Sequence, residues 1–102
     1  MHRLRLTVRL TTVDTAVVSL DGEIDAHETV PLREMAASLL AAGVRHVTLD
    51  LAGVTFVDLG GMRALADFGS AFETGGGDSA LASVPAAATR VLDLTEGLAN
   101  SR

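Results

Sequence analysis

The chain is 102 residues long, 48% hydrophobic and only 3% aromatic, with neither Trp nor Tyr, which fits one compact domain whose core is Leu, Val and Ala around Phe56, Phe68 and Phe72. Formal charge is −5 and all eight basic residues are arginines dispersed from Arg3 to Arg102, so the clustered basic face that a nucleic-acid backbone requires is missing and no direct nucleic-acid partner is expected. Cysteine is absent, which removes disulfides, thiolate catalysis and Cys-based zinc sites, and no apolar run approaches the roughly 18 residues of a membrane span or resembles a signal sequence, so a cytoplasmic protein without membrane insertion is expected.

Leu4, Leu6, Val8 and Leu10 alternate with Arg3, Arg5, Thr7 and Arg9, which predicts a first strand over 3–10 with one buried face. The apolar run 16–20, bounded by Asp14 and by Asp21-Gly22, predicts a second strand paired to the first through a short turn over 11–15. Leu32, Met35, Ala36, Leu39, Leu40 and Gly43 then follow helical spacing, with Arg33, Glu34 and Ser38 on the other side. Gly43 suits a left-handed C-terminal cap. Asp25 with Glu28 resembles a capping box but would set Pro31 too deep, whereas Thr29 as N-cap leaves Pro31 in the first turn.

A third strand over 44–51, with Val47, Leu49 and Leu51 facing one way, runs through Gly53 into a short apolar piece over 54–57. After Asp58, Met62, Leu65, Phe68, Gly69 and Phe72 predict a second helix stopped by the glycines at 75–77. A fourth strand over 79–84 follows, and Pro85 opens a third helix with Ala88, Val91, Leu92 and Leu94 on its buried side. The order ββαβαβα describes a single α/β domain over 1–102, a mixed four-stranded sheet layered with about three helices.

Asp58, Gly60 and Gly61 stand where a strand hands over to a helix N-terminus. Free N–H groups there favour an incoming anion or Asp58 itself, and spacing alone leaves both readings open. The run Gly77-Asp78-Ser79-Ala80-Leu81 has the form of a hydrolase serine motif, but no His follows His46 to serve as base. His2, His27 and His46 have no spacing that sets two on one helix face, so no metal is assigned. With no complete set of acid, base and nucleophile, no enzyme and no cofactor are expected. Asp21, Glu23, Asp25 and Glu28 form a local acidic cluster, either a solvated loop or a steering patch for a basic partner.

Three segments, in order, resemble the STAS family, the sulfate transporter and anti-sigma factor antagonist domains. Leu20-Asp21-Gly22-Glu23-Ile24-Asp25 is similar to the family's L-x-G-x-L-D, and the stretch from Leu49 to Met62 is similar to L-D-L-x-x-V-x-F-x-D-S-S-G-L. Val84-Pro85 through Thr95-Glu96-Gly97-Leu98 resembles the family's Pro-initiated last helix. The resemblance implies a protein that docks on a kinase-like anti-sigma factor or a related signalling protein, through Asp25, Thr29, Asp58, Leu59, Gly60, Gly61, Met62 and Arg63. Packing against a transporter ATPase is the alternative it implies. Antagonists of this family are phosphorylated on the second serine of Asp-Ser-Ser-Gly. Here Leu59 and Gly60 replace the two serines, so the family position offers no phosphoacceptor. Leu59 and Met62 are expected on an exposed loop and first helical turn.

Overall fold

The computed structural model describes residues 4–86. The chain runs β1 (Leu4–Thr12), β2 (Thr15–Ile24), a 3₁₀ turn (Ala26–Glu28), α1 (Thr29–Ala41), β3 (His46–Val57), α2 (Leu59–Thr74) and β4 (Asp78–Ala82). The described residues thus hold two α-helices, not about three, and the buried side expected of a third lies outside them. The sheet order is β1-β2-β3-β4, with β1 antiparallel to β2 and the other two pairs parallel. Each parallel step needs a crossover helix, and right-handed crossovers taken in one direction place α1 and α2 on one face of the sheet. There they pack against each other.

The N-terminal alternation produces β1 as expected, two residues longer at its end, and the tight turn at Val13-Asp14 brings Thr12 opposite Thr15. In that turn Asp14 accepts hydrogen bonds from the hydroxyls of Thr12 at 3.0 Å and Thr15 at 3.1 Å. These two bonds, with a smaller contribution from the nearby His46, hold its carboxyl below the ordinary value of 3.8. A depressed folded-state pKa contributes stability that is present above the unfolded value and is lost as pH falls through the folded one. Asp14→Asn should therefore lose this small contribution at neutral pH and flatten the acid limb, the two stability curves converging as pH falls below about 4. Urea midpoints measured across that range check this, and parallel curves for the two proteins would contradict it.

β2 continues past the Asp21-Gly22 pair to Ile24, because Leu20, Gly22 and Ile24 keep the two-residue period that buries one face. Opposite them β3 is one strand of 12 residues, with extra residues between the partners of Ser19 and Asp21 and again between those of Gly22 and Glu23. The second irregularity inserts Thr55 and reverses the alternation. Val54 and Val57 stay buried, while Phe56 pairs with Glu23 on the face away from the helices and is 46% exposed. The expectation that Phe56 belongs to the core is thereby overturned.

α1 starts at Thr29 with Glu28 as N-cap, so Thr29 is the first helical residue and not the cap. Pro31 is the third residue of the helix, where an N–H would have no acceptor within the helix. At the other end Gly43 takes φ +95°, Gly43 N–H donates to Leu40 O at 3.0 Å and Val44 N–H to Leu39 O at 3.0 Å. This pair of bonds is a Schellman cap, as the sequence led us to expect. The core lies between helices and sheet: Leu32, Ala36 and Leu39 from α1, Val18, Leu20, Leu49 and Leu51 from the sheet, and Leu65, Phe68 and Phe72 from α2. The two phenylalanine rings meet at 5.2 Å with a 42° tilt.

Candidate functional site

Asp58 follows the last residue of β3 in an extended conformation, φ −110° and ψ −175°, and caps α2. Its Oδ1 accepts from Gly61 N–H at 2.8 Å, and its carbonyl accepts from Met62 N–H at 2.9 Å. Of the two readings left open, the structure realises the cap, with the carboxylate satisfying one of the helix's free donors. Asp58→Ala should cost about 1 kcal/mol of stability for that reason, measurable by chemical denaturation. A loss near zero would mean that another group satisfies the Gly61 amide.

The N-terminus of α2 is pressed against the end of β2 and the 3₁₀ turn that follows. Asp58 N–H donates to Ile24 O at 3.3 Å. A Cβ at Gly60 would stand 3.0 Å from Ala26 Cβ, and one at Gly61 would collide with Ile24 O and sit 2.7 Å from its carbonyl carbon. Glycine at both positions therefore lets two backbones approach and joins the Asp25 region to the Asp58 loop. Asp25 caps the 3₁₀ turn, accepting from His27 N–H at 2.8 Å, and its Oδ1 lies 3.1 Å from the His27 ring. Among the described residues no group of three metal-capable side chains converges.

Of the residues expected at a docking surface, Leu59 is 41% exposed and Arg63 is exposed, while Asp25, Thr29, Asp58 and Gly60 are half-buried. Gly61 is buried. Met62 is only 6% exposed, which corrects the expectation that it lies open beside Leu59. It shares the stripe of Leu65, Gly69 and Phe72, and the helical turn that frees Leu59 carries Met62 inward. There Met62 helps line a groove of about 340 Å³ between α2 and β4. Two exposed apolar residues are not expected on this surface from the sequence, Phe56, which composition assigns to the core, and Val30. Val30 is legible as lying off the Leu32, Met35, Ala36 and Leu39 stripe; Phe56 carries no such signal, because the bulge that turns it outward is invisible in the sequence.

Ser79, the serine of the hydrolase-like run, lies within β4 opposite Val47, facing Gly69 of α2. Asp78 is one residue back and so on the opposite face, where its carboxylate meets His46 Nδ1 at 3.0 Å. The strand period thus separates this serine from the histidine.

The STAS domain family model matches residues 7–100. No curated protein sequence matches the chain. Among solved structures, the chain is similar to an anti-sigma factor antagonist from Mycobacterium paratuberculosis, with TM-score 0.71 and 26% identity over 93% of this chain and 79% of that one. It shares its fold with the Bacillus cell fate determinant SpoIIAA in the phosphorylated form, with TM-score 0.69 and 20% identity over 93% and 86% of the two chains. The fold likewise matches part of SLC26A9, with TM-score 0.62 and 15% identity, covering 97% of this chain and 21% of that one. No helix among the described residues is long and apolar enough to cross a membrane. With the first two expected motifs in place on the expected elements and the family model matching nearly end to end, the chain belongs to the STAS domain family.

Proposed function

We propose that the protein is a non-catalytic regulator that acts as an anti-sigma factor antagonist, docking on a kinase-like anti-sigma factor or a related signalling protein. The surface is the exposed start of α2, with Leu59 and Arg63, together with the Asp58 loop and the Asp25 turn. The acids Asp21, Glu23, Asp25 and Glu28 beside it steer a partner with a basic rim. It works by occupancy, without a phosphorylation switch at the family position.

The observation that carries this reading is Gly60, which holds the place of the family's phosphoacceptor and has no side chain. Nearby hydroxyls do not replace it. Thr55 Oγ1 donates to Gly22 O at 3.3 Å within the sheet, and Ser70 lies ten residues along α2, about 15 Å away at 1.5 Å per residue. In a relative that keeps the serine, a phosphate would add roughly −1.5 to −2 charges beside the aspartate and oppose docking.

The test begins with co-purification of the partner, followed by incubation with ATP and measurement of intact mass. Wild type should stay unmodified and Gly60→Ser should gain one phosphate. Stoichiometric phosphate on the wild-type chain would overturn the unswitched module. Independently, Leu59→Asp should weaken partner binding by about tenfold to a hundredfold, since burying this side chain contributes roughly 1.5 to 3 kcal/mol. It should leave the unfolding midpoint unchanged because the side chain is exposed, and unaltered affinity in a calorimetric titration would rule this surface out.

A second reading, a STAS subunit packed against a transporter ATPase, is favoured by the fold shared with part of SLC26A9. Recovery of such an ATPase in the co-purification would select it.

A further inference from the structure

We propose that the free edge of β1 is a second docking surface, built to take an extended acidic segment of a partner protein as a fifth strand. Among the described residues β1 borders the sheet, and none of them places a strand beside its outer row of N–H and C=O groups. The strand is nine residues long, ample for pairing with an incoming chain. Its helix-side residues emerge progressively from cover: Leu4 is 8% exposed, Val8 37% and Leu10 60%, and Val13 at the turn is 90% exposed. The core layer therefore stops short of the outer half of this hairpin, leaving an apolar strip alongside unpaired backbone.

The other face of β1 supplies the chemistry. Register with β2 places Arg5 opposite Asp21, Thr7 opposite Ser19 and Arg9 opposite Val17, all on the side away from the helices. Both arginines are exposed, and among the described residues neither forms a hydrogen bond or ion pair. Arg9 has no acid opposite it at all. Two unpaired cations four residues apart on one face of an edge strand, in a chain of net charge −5, match a segment that carries acids on that face and apolar residues on the other to meet Val8 and Leu10.

A second copy of this chain fits worse. Antiparallel self-pairing centred on Thr7 sets Arg5 directly against Arg9 of the other copy, twice, and centring it on Val8 leaves the same arginines as diagonal neighbours. Either way four cations crowd one face with no acid added, and like charges across a ladder are destabilising.

The test uses the full chain, ¹⁵N-labelled, titrated with a soluble peptide alternating glutamate and valine and, separately, with the same peptide carrying lysine for glutamate. The glutamate peptide should shift the amides of β1, including Val8 and Leu10, with affinity that falls as salt is raised. Arg5→Ser combined with Arg9→Ser should reduce that affinity at least fivefold while the circular dichroism spectrum stays native. Equal binding of the lysine peptide, indifference to the double substitution, shifts centred away from β1, or no binding would each overturn the proposal. Dimerisation of the free chain through β1 in sedimentation would overturn it in favour of a second copy.

Discussion

Gly61→Ala should lower the unfolding free energy by about 3 kcal/mol, against about 1 kcal/mol gained by removing glycine from a helix interior. The added Cβ meets the carbonyl of Ile24 and, at 3.0 Å, Val57 Cγ2. A backbone carbonyl cannot swing aside as a side-chain tip would, so β2 and α2 must separate at the junction that joins the Asp25 turn to the Asp58 loop. Gly60→Ala is the internal control. Its Cβ would sit 3.0 Å from Ala26 Cβ, a contact relieved by a few tenths of an ångström, and the helix-propensity gain of about 1 kcal/mol roughly offsets it. Urea denaturation of the three proteins decides the matter, and equal midpoints for the Gly61 and Gly60 variants would refute the close-approach account. The same comparison makes Gly60→Ser usable in the phosphorylation test, since a serine there should leave the domain folded.

Phe72→Ala should cost about 3 to 5 kcal/mol, the range for emptying a large aromatic site that cannot collapse. Phe72 is fully buried, and Phe68 is the only other phenylalanine in the core. Its loss removes a ring contact at 5.2 Å and leaves a void at the centre of the α2–sheet layer. Against a total stability of about 5 to 15 kcal/mol typical of such domains, this should leave a measurable unfolded fraction at ambient temperature. Loss of cooperative thermal unfolding by calorimetry is the readout, and a cost below about 1.5 kcal/mol would show that the layer repacks around the gap. Phe56→Ala, by contrast, should change stability little, because that ring faces outward.

The order of strands and helices among the described residues, the hairpin and the cap at Gly43 were all determined by the sequence, because each depends on contacts within a few residues, whereas the role of Asp58 was left open until its carboxylate was seen on the Gly61 amide. Alternation, helical spacing and residues suited to caps or turns write such contacts directly into neighbouring letters. The sequence also carried the absence of a side chain at Gly60. Tertiary structure decided what depends on residues distant along the chain. The bulge that faces Phe56 outward exists only in the pairing of β3 with β2, and the burial of Met62 follows from the layer that α2 packs upon. The demand for glycine at position 61 is set by a carbonyl 37 residues earlier, at Ile24. Likewise, Val8 and Leu10 alternate as a buried strand face should, yet they stand exposed because β1 ended at the sheet's edge, beyond the reach of the helices that cover its neighbours.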